Sequence, residues 1–179
     1  MTYWKALNGR TPTVGNPDYR YPVDRWTRHL DPARLQACEY GYHLARDKQI
    51  LEWLAPTLYT AEPCPDHPLI EAADKVVTCR TRITLVAAWN DRTARMFAAD
   101  CAEHALEGER EAGREPDARS WAAVEAARLY ANGEIGDAAG AAARDAAWAA
   151  AGDAAWTAAR DAARDWQYGR LLHWTGVTP

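Results

Sequence analysis

The sequence is poor in lysine, in phenylalanine and in long apolar runs. Only three of its 21 cationic residues are lysines, the other eighteen are arginines, and phenylalanine occurs once. Such usage, with abundant alanine and aspartate, is typical of a genome of high GC content, such as that of an actinobacterium or one of its phages. No apolar run approaches the ~18 residues of a membrane span, and the N-terminus lacks the form of a secretory signal. We therefore expect a soluble, cytoplasmic protein (in the host cytoplasm if phage-encoded) that does not engage a membrane.

A basic excess and the common catalytic motifs are also missing. The formal net charge is −4, with +1 on residues 1–88 and −5 on residues 89–179. Because phosphate neutralisation supplies most of the affinity for duplex DNA, a nucleic-acid partner is not expected. Neither a phosphate-binding or dinucleotide-binding glycine loop nor an H-E-x-x-H or G-x-S-x-G element occurs. No catalytic residue and no cofactor is therefore assigned.

The cysteines are few and widely spaced: Cys38, Cys64, Cys79 and Cys101. Cys64 and His67 have the C-x-x-H spacing of a metal-binding pair, and Cys38 and His43 could complete a set of four ligands. Structural zinc sites normally show two tight ligand pairs, however, and free cysteine is commonly buried. We therefore expect buried thiols without a disulfide and without a metal site.

The first half, residues 1–88, predicts a small mixed α/β domain of short strands, turns and one helix. Its β-prone runs cover Thr2–Leu7, Leu35–Leu44 and Thr57–Glu62. Within the second run, Gly41 permits a bulge or a close backbone approach. Asp47 is placed to cap a helix over Lys48–Leu54, which Pro56 ends.

The strongest strand prediction covers Lys75–Ala87. Apolar positions there alternate with Arg and Thr positions, which indicates a half-buried strand of an antiparallel sheet. Arg80 and Arg82 then share a face, about 7 Å apart, and are placed to bind an anion such as a nucleotide. Tyr42 and His43, on a neighbouring β-prone run, are placed to add a stacking ring and a titratable donor. The alternative is an exposed face whose arginines are paired with carboxylates.

The composition of the chain changes near Trp89–Asp91. The spacing of apolar residues changes there too, from a period of 2 to one of about 3.6 residues. We therefore predict a second, all-helical domain over residues 89–179, which makes the chain α+β. Asn90-Asp91 offers the cap of a first helix, Pro116-Asp117 starts a second helix, and Asn132-Gly133 ends it. The predicted buried face of the first helix carries Ala94, Phe97, Ala98, Cys101 and Ala105.

An eight-residue repeat rich in alanine and tryptophan follows over residues 137–164, where sixteen of 28 residues are alanine. Alanine strongly favours helix. At about 100° per residue, one broad stripe of that helix carries four tryptophans: Trp148, Trp156, Trp166 and Trp174. Large side chains separated by alanines are typical of helix packing, so we expect these tryptophans in a core. The alternative, a platform for stacked bases, is disfavoured by the accompanying aspartates.

Particular segments resemble proteins of known families. One resemblance is to a helical domain of immunity-type proteins and of uncharacterised actinobacteriophage proteins. It rests on CAEHAL (101–106), AVEAARLYA (123–131) and the eight-residue repeat. CEYGYHL (38–44) and DKVV (74–77) are similar to a small domain of unknown function from phage and bacterial genomes. The resemblance implies an accessory protein, of phage or actinobacterial origin, that acts by binding.

A second resemblance concerns residues 41–44 followed by a helix and Trp53. This G-Y-H-L run resembles the strand-then-helix element that borders the nicotinamide pocket of ADP-ribosyltransferases. In that family a later glutamate orients the ribose, which here implies Glu62. The alternative interpretation makes His43 a strand histidine with one nitrogen bonded to backbone, and Glu62 a solvated strand end.

The leading hypothesis is a non-enzymatic binding protein of counter-defence or immunity type. Its expected partner is a host or rival protein or an anionic small molecule. Candidate ligand-binding residues are Arg80, Arg82, Tyr42, His43 and Glu62. The alternatives are an enzyme of ADP-ribosyltransferase type and a minor virion protein.

Overall fold

The computed structural model, which describes residues 1–136 and 160–179, contains an antiparallel sheet followed by helices. The predicted α+β class is thereby confirmed. The chain forms two compact units, residues 1–89 with 175–179 and residues 90–174. Within the described residues, no helix is both long and apolar enough to cross a membrane.

Seven strands form the sheet of the first unit, and every pairing is antiparallel. They are β1 (Tyr3–Asn8), β2 (Thr11–Pro12), β3 (Tyr42–Arg46), β4 (Thr57–Pro63), β5 (Ile70–Glu71), β6 (Val76–Thr78) and β7 (Thr81–Leu85). The spatial order is β5-β6-β3-β1-β4-β7, with β2 attached to β1. The predicted first and third runs correspond to β1 and β4 within one residue at each end.

The short bend between β6 and β7 makes the sheet curl. In the strand order these two strands stand four positions apart, which is about 19 Å in a flat sheet. Along the chain, however, Thr78 and Thr81 are three residues apart and span at most about 11 Å. The sheet therefore curls until its two sides meet at Cys79-Arg80.

The prediction of one continuous strand over Lys75–Ala87 is wrong at this bend. The backbone carbonyl groups of Cys79 and Arg80 do not take part in a strand ladder, because loop residues bond to them. Leu30 N–H donates to the Cys79 carbonyl and Cys64 N–H donates to the Arg80 carbonyl, both at 2.9 Å. After the bend burial alternates as the sequence pattern predicts, with Thr81 and Ile83 buried and Arg82 and Thr84 exposed. Before the bend the run of residues 76–79 is buried throughout.

Two further predictions in this unit need correction. β3 begins at Tyr42 rather than at residue 35, because Cys38 (φ 68°) and Gly41 (φ 137°) turn the chain in the preceding segment. Asp47 does not cap an α-helix. It lies inside a 3-10 helix over Asp47–Glu52, and its carboxylate instead accepts the Thr2 N–H at 2.7 Å.

Alternate residues of a strand point to opposite faces, and both faces of the curled sheet bury apolar side chains. One face packs a cluster of five buried residues: Leu7, Tyr21, Tyr42, Tyr59 and Ile83. On the other face Trp4 and Leu58 have no solvent exposure. Three of the five cluster residues are tyrosines, so this core contains hydroxyl groups that need hydrogen-bond partners.

The second unit contains three described helices: α1 (Asp91–Glu111), α2 (Ala118–Ala131) and α3 (Arg160–Thr175). The predicted caps are confirmed, since the side chains of Asn90 and Asp117 accept the N–H groups of the first turns of α1 and α2. The predicted face of α1 is correct at Phe97, which is buried, and wrong at Ala98, which is exposed. Ala99 and Leu106 of α1 pack instead against Val124 of α2.

Asp100 connects all three helices of this unit. The side chain of Asp100 is 6% exposed. Its carboxylate accepts from Arg128 of α2 at 2.8 Å, and from Arg170 and Trp174 of α3 at 2.6 and 2.7 Å. Burial alone raises the pKa of Asp100, but the hydrogen bonds from Arg170 and Trp174 and the charges of both arginines hold it below its usual value. The carboxylate therefore stays ionised.

The tryptophan stripe is described only in part. Trp148 and Trp156 lie outside the described residues. Trp166 is half-buried rather than enclosed, and its ring stacks on His104 with centroids 3.9 Å apart. Trp174 is half-buried too and donates to Asp100.

Replacing Asp100 by Asn should destabilise the helical unit by about 2–3 kcal/mol. Breaking a fully buried ion pair costs ~3–5 kcal/mol, but Arg128 and Arg170 keep some solvent contact and Arg128 keeps Glu103. Urea unfolding followed by circular dichroism at the helical minimum measures the effect. Asp91→Asn, an exposed N-terminal position of α1, is the matched control and should change stability by less than about 1 kcal/mol. Equal losses for the two variants would contradict the central role of Asp100.

Candidate ligand-binding cleft

A cleft of about 760 Å³ opens in the first unit where two neighbouring strands separate. β1 and β3 pair at Tyr3–Arg46 and Trp4–Ala45, and no further pairing joins them within the described residues. Beyond Trp4 the gap between the strands is crossed by a side chain, because Lys5 Nζ donates to the carbonyl oxygen of His43 at 2.8 Å. The cleft therefore arises from the sheet itself, with residues of β1 and β3 in its walls.

The lining of the cleft combines aliphatic residues with aromatic rings and cationic groups. The rings include those of Trp4, Tyr19, Tyr21, Tyr40, Tyr42 and Trp53. The cations are Lys5, Arg28 and Lys75. Glu39 is the single carboxylate among the lining residues, all of which belong to the described N-terminal part of the chain. The lining therefore favours a ligand that carries negative charge and a planar ring.

Three of the tyrosines pack edge to face as one group. The ring centroids of Tyr19 and Tyr21 are 4.9 Å apart, and those of Tyr21 and Tyr42 are 5.9 Å apart. The Tyr42 hydroxyl donates to the backbone carbonyl of Arg28 at 3.0 Å, which anchors the loop before β3. Burial raises the pKa of Tyr19 and of Tyr21, so both phenols stay neutral.

Lys5 is the unusual cation of the cleft. Its ammonium group lies 5.1 Å from the centre of the Tyr21 ring and donates to the carbonyl of His43. No ion pair is described for it, and burial lowers the pKa of Lys5 to about 8. A partly desolvated ammonium group of this kind gains from an anionic ligand, because the ligand supplies the missing counter-charge.

Lys75, the second lysine of the cleft, has different contacts from Lys5. Its Nζ lies 4.5 Å from the centre of the Trp53 ring, 3.1 Å from the Asp74 carboxylate and 3.5 Å from the Cys38 sulfur. Burial lowers the pKa of Lys75, but hydrogen bonds to Asp74 and Cys38 outweigh burial and raise it. Lys75 therefore remains charged at every physiological pH.

His43 is a fixed acceptor rather than a proton switch. Its Nε2 accepts the backbone N–H of Cys38 at 2.9 Å, so its proton is on Nδ1. Burial and the charges of Lys5 and Lys75 lower the pKa of His43, which keeps the ring neutral. This arrangement agrees with the alternative interpretation, in which backbone satisfies one ring nitrogen.

The other predicted site residues lie outside the cleft and form a group of their own. Arg80 and Arg82 bracket the Trp26 ring, with guanidinium carbons 5.2 and 5.5 Å from its centre. Arg80 Nε donates to the Thr27 carbonyl, and Arg82 is paired with the Glu62 carboxylate. The arginines do share one face, but their hydrogen bonds are to protein groups.

A cavity of about 400 Å³ in the helical unit is a weaker candidate. Its charged residues include Asp100, Glu103, Arg128 and Arg170, which are bonded to one another. These charges hold the helices together, so they offer a ligand less than the cations of the cleft do.

A compact group of metal-binding side chains also occurs in the first unit. The ligand atoms of His29, His67 and Cys79 lie within 4.8 Å of one another. Burial and the adjacent Cys64 thiol raise the pKa of Cys79 to about 11. Cys38, which the sequence suggested as a partner of Cys64, instead contacts Lys75.

Sequence reasoning placed Tyr42 and His43 in the candidate site but missed Lys5, Lys75 and Trp53. A usable signal exists in the composition. The chain has three lysines, and two of them line this cleft. Lysine supplies a compact ammonium group and arginine a planar guanidinium, so the three lysines of an arginine-rich sequence are worth weighing one by one.

Neither a protein-family model nor a curated protein nor a solved structure matches the chain. The resemblances to immunity-type proteins, to phage proteins and to ADP-ribosyltransferases therefore stay predictions.

The edge of the cleft requires glycine at position 41. A Cβ there would lie 2.2 Å from Val77 Cγ1, and the φ of 137° is one that L-residues rarely adopt. Gly41→Ala should cost about 1–3 kcal/mol from overpacking, in addition to backbone strain. Gly9→Ala is the matched control, because its φ is also positive but no atom lies within 4 Å of its Cβ position. Thermal unfolding of the two variants should differ by several degrees, and equal midpoints would exclude the clash.

Proposed function

We propose that the chain is a binding protein whose N-terminal unit takes an anionic, ring-bearing small molecule of nucleotide size in the cleft between β1 and β3. The observation that carries the proposal is the joint placement of Lys5 and Lys75 with aromatic rings in one ligand-sized space. Binding is the whole activity in this proposal, and no covalent step is assigned.

The dimensions and chemistry of the cleft support such a ligand. Its volume of about 760 Å³ falls in the ~300–1,000 Å³ range of small-molecule sites. Trp53 and Tyr40 offer faces for a planar ring, and each already lies under a cation, Lys75 and Arg34 respectively. An anionic ring between these groups is attracted by both its charge and its face.

The transferase alternative lacks support from the placement of Glu62. That reaction needs a carboxylate beside the ribose, and Glu62 is not among the lining residues of the cleft. Glu62 pairs with Arg82 and lines a separate cavity of about 220 Å³. We therefore keep binding, rather than transfer, as the proposed activity.

The wider role that we propose is that of an accessory factor of phage or actinobacterial origin. Sequestering a nucleotide-like anion would suit a counter-defence or immunity-type protein, since it removes a small signal without needing chemistry. The resemblances given above are the support for this part of the proposal.

Replacing either cleft lysine by Met should weaken nucleotide binding by about 10–100-fold, because each loses a charge-assisted contact of ~1.5–3 kcal/mol. Isothermal titration with ADP and with NAD measures the dissociation constants of Lys5→Met and Lys75→Met. Lys48→Met is the matched control, because Lys48 is the remaining lysine of the chain and is not among the lining residues.

Two ligand controls complete the design. Adenosine tests the ring without the charge, and inorganic phosphate tests the charge without the ring; both should bind more weakly than ADP. If the wild-type protein binds none of these ligands, or if Lys48→Met weakens binding as much as the cleft variants do, the proposal fails. Release of nicotinamide from NAD would favour the transferase instead.

Binding should also depend on pH in a defined direction. The pKa of Lys5 is about 8, so its ammonium group loses its proton as the pH rises through that value. Affinity for ADP should therefore fall between pH 7 and pH 9.5, and Lys5→Met should show no such fall. The stability of the free protein should change the opposite way, rising from about pH 8 to pH 10.5, because the unfolded chain then binds more protons. An affinity that is independent of pH in this range would rule out a charged Lys5 in the site.

A further inference from the structure

Three potential metal ligands converge at the bend between β6 and β7, and a fourth, Cys64, adjoins one of them. Cys79 lies in the bend, Cys64 and His67 lie in the turn after β4, and His29 comes from the loop that crosses β7. Donor atoms of His29, His67 and Cys79 are all within 4.8 Å of one another, and the Cys64 thiol is within hydrogen-bonding reach of the Cys79 thiol. Among the residues 1–136 and 160–179, no other group of three such side chains is found.

The measured separation fits tetrahedral zinc. Zinc binds thiolate at about 2.3 Å and imidazole nitrogen at about 2.0–2.1 Å, so tetrahedral ligands of these two kinds lie about 3.6 Å apart. The Cys79 sulfur and the His29 Nε2 are 3.7 Å apart. The rings of His29 and His67 are tilted at 56° to each other with centroids 5.3 Å apart, and a nitrogen of each lies in the group of close donor atoms.

Backbone hydrogen bonds at or next to Cys64, Cys79 and His29 hold these three residues in place. Leu30 N–H donates to the Cys79 carbonyl, which ties the residue after His29 to the bend. Cys64 N–H donates to the Arg80 carbonyl, which ties the turn to the same bend. Thr27 Oγ1 accepts the Thr81 N–H at 3.0 Å on the far side. The scaffold therefore presents three ligands close together, with the Cys64 thiol beside Cys79 as the fourth.

We propose that Cys64, His67, Cys79 and His29 bind one zinc ion tetrahedrally. A Cys₂His₂ set with four protein ligands leaves no open position, so the ion is structural. The ion joins the loop at His29 and the turn at Cys64–His67 to the bend. When it binds, the Cys64 and Cys79 thiols release their protons and become thiolates. Cys64 and Cys79 are buried whereas His29 is exposed, so the ion enters from the histidine side. The proposal does not depend on the ligand of the cleft.

The test is metal analysis of the full chain. The protein is purified under reducing conditions without chelator, incubated with zinc sulfate, desalted, and analysed by inductively coupled plasma mass spectrometry. We expect about one zinc per chain, falling below about 0.2 in His67→Asn and Cys79→Ser. Cobalt titration should give the visible absorption of a tetrahedral thiolate site in the wild-type protein only.

Matched controls separate this site from other thiols and histidines. Cys38→Ser removes an exposed thiol of the same unit, and Cys101→Ser removes a half-buried thiol of the helical unit; both should keep about one zinc. If Cys79→Ser fails to fold, His29→Gln still tests the site, because an exposed histidine can be replaced without a loss of packing. It should lose zinc while its circular dichroism spectrum stays that of the wild-type protein.

Several results would overturn the proposal. One is a wild-type protein that holds no zinc after incubation. Another is zinc retained by His67→Asn and His29→Gln together, since the ion would then be bound elsewhere. Loss of zinc in Cys38→Ser would point to a different ligand set. An intact-mass measurement showing a Cys64–Cys79 disulfide under reducing conditions would also exclude the site.

Discussion

The N-terminal unit depends on a single geometric constraint, the two-residue connection between β6 and β7. Because Thr78 and Thr81 belong to strands on opposite sides of the sheet, the sheet has to curl. Curling turns one face into a closed core, and it accompanies the separation of β1 from β3 beyond Trp4. The loop and the turn that bond to Cys79 and Arg80 hold the bend. The closed core and the proposed metal site thus follow from one connection, and the cleft opens in the same curled sheet.

Much of the fold was predictable from local patterns, because those patterns have local causes. β1 and β4 follow from β-prone runs, and the helix starts at Asn90 and Asp117 follow from capping chemistry. The bend at Cys79 was not predictable, because the carbonyl groups there bond to residues some 15 to 50 positions away. A period of 2 shows which side chains share a face but not which strand each half of the run joins.

The candidate site, like the fold, was predictable only where its features have local causes. Tyr42 and His43 were recognised from a short motif, and the structure places both in the cleft. Arg80 and Arg82 were correctly assigned to one face, and the interpretation of arginines paired with carboxylates holds for Arg82, although its partner was not identified. Pairing with Glu62 depends on the register of β4 against β7, which sets Glu62 opposite Arg82. Such cross-strand neighbours are a product of tertiary structure, so a single sequence does not reveal them.

The order of the strands also has a consequence for how the chain is made. β1 finds its partners β3 and β4 only after most of the first unit has been synthesised, and the sheet closes only when β7 reaches β4. Sheets assembled from such distant segments form slowly, whereas α1 and α2 are neighbours in the chain and associate early. The ribosome therefore releases the sheet-forming segments first. The helical unit is synthesised later, but its contacting segments lie closer together in the chain. Until closure, β4 has an unpaired edge, and this is the interval in which the nascent chain is most exposed to misassociation.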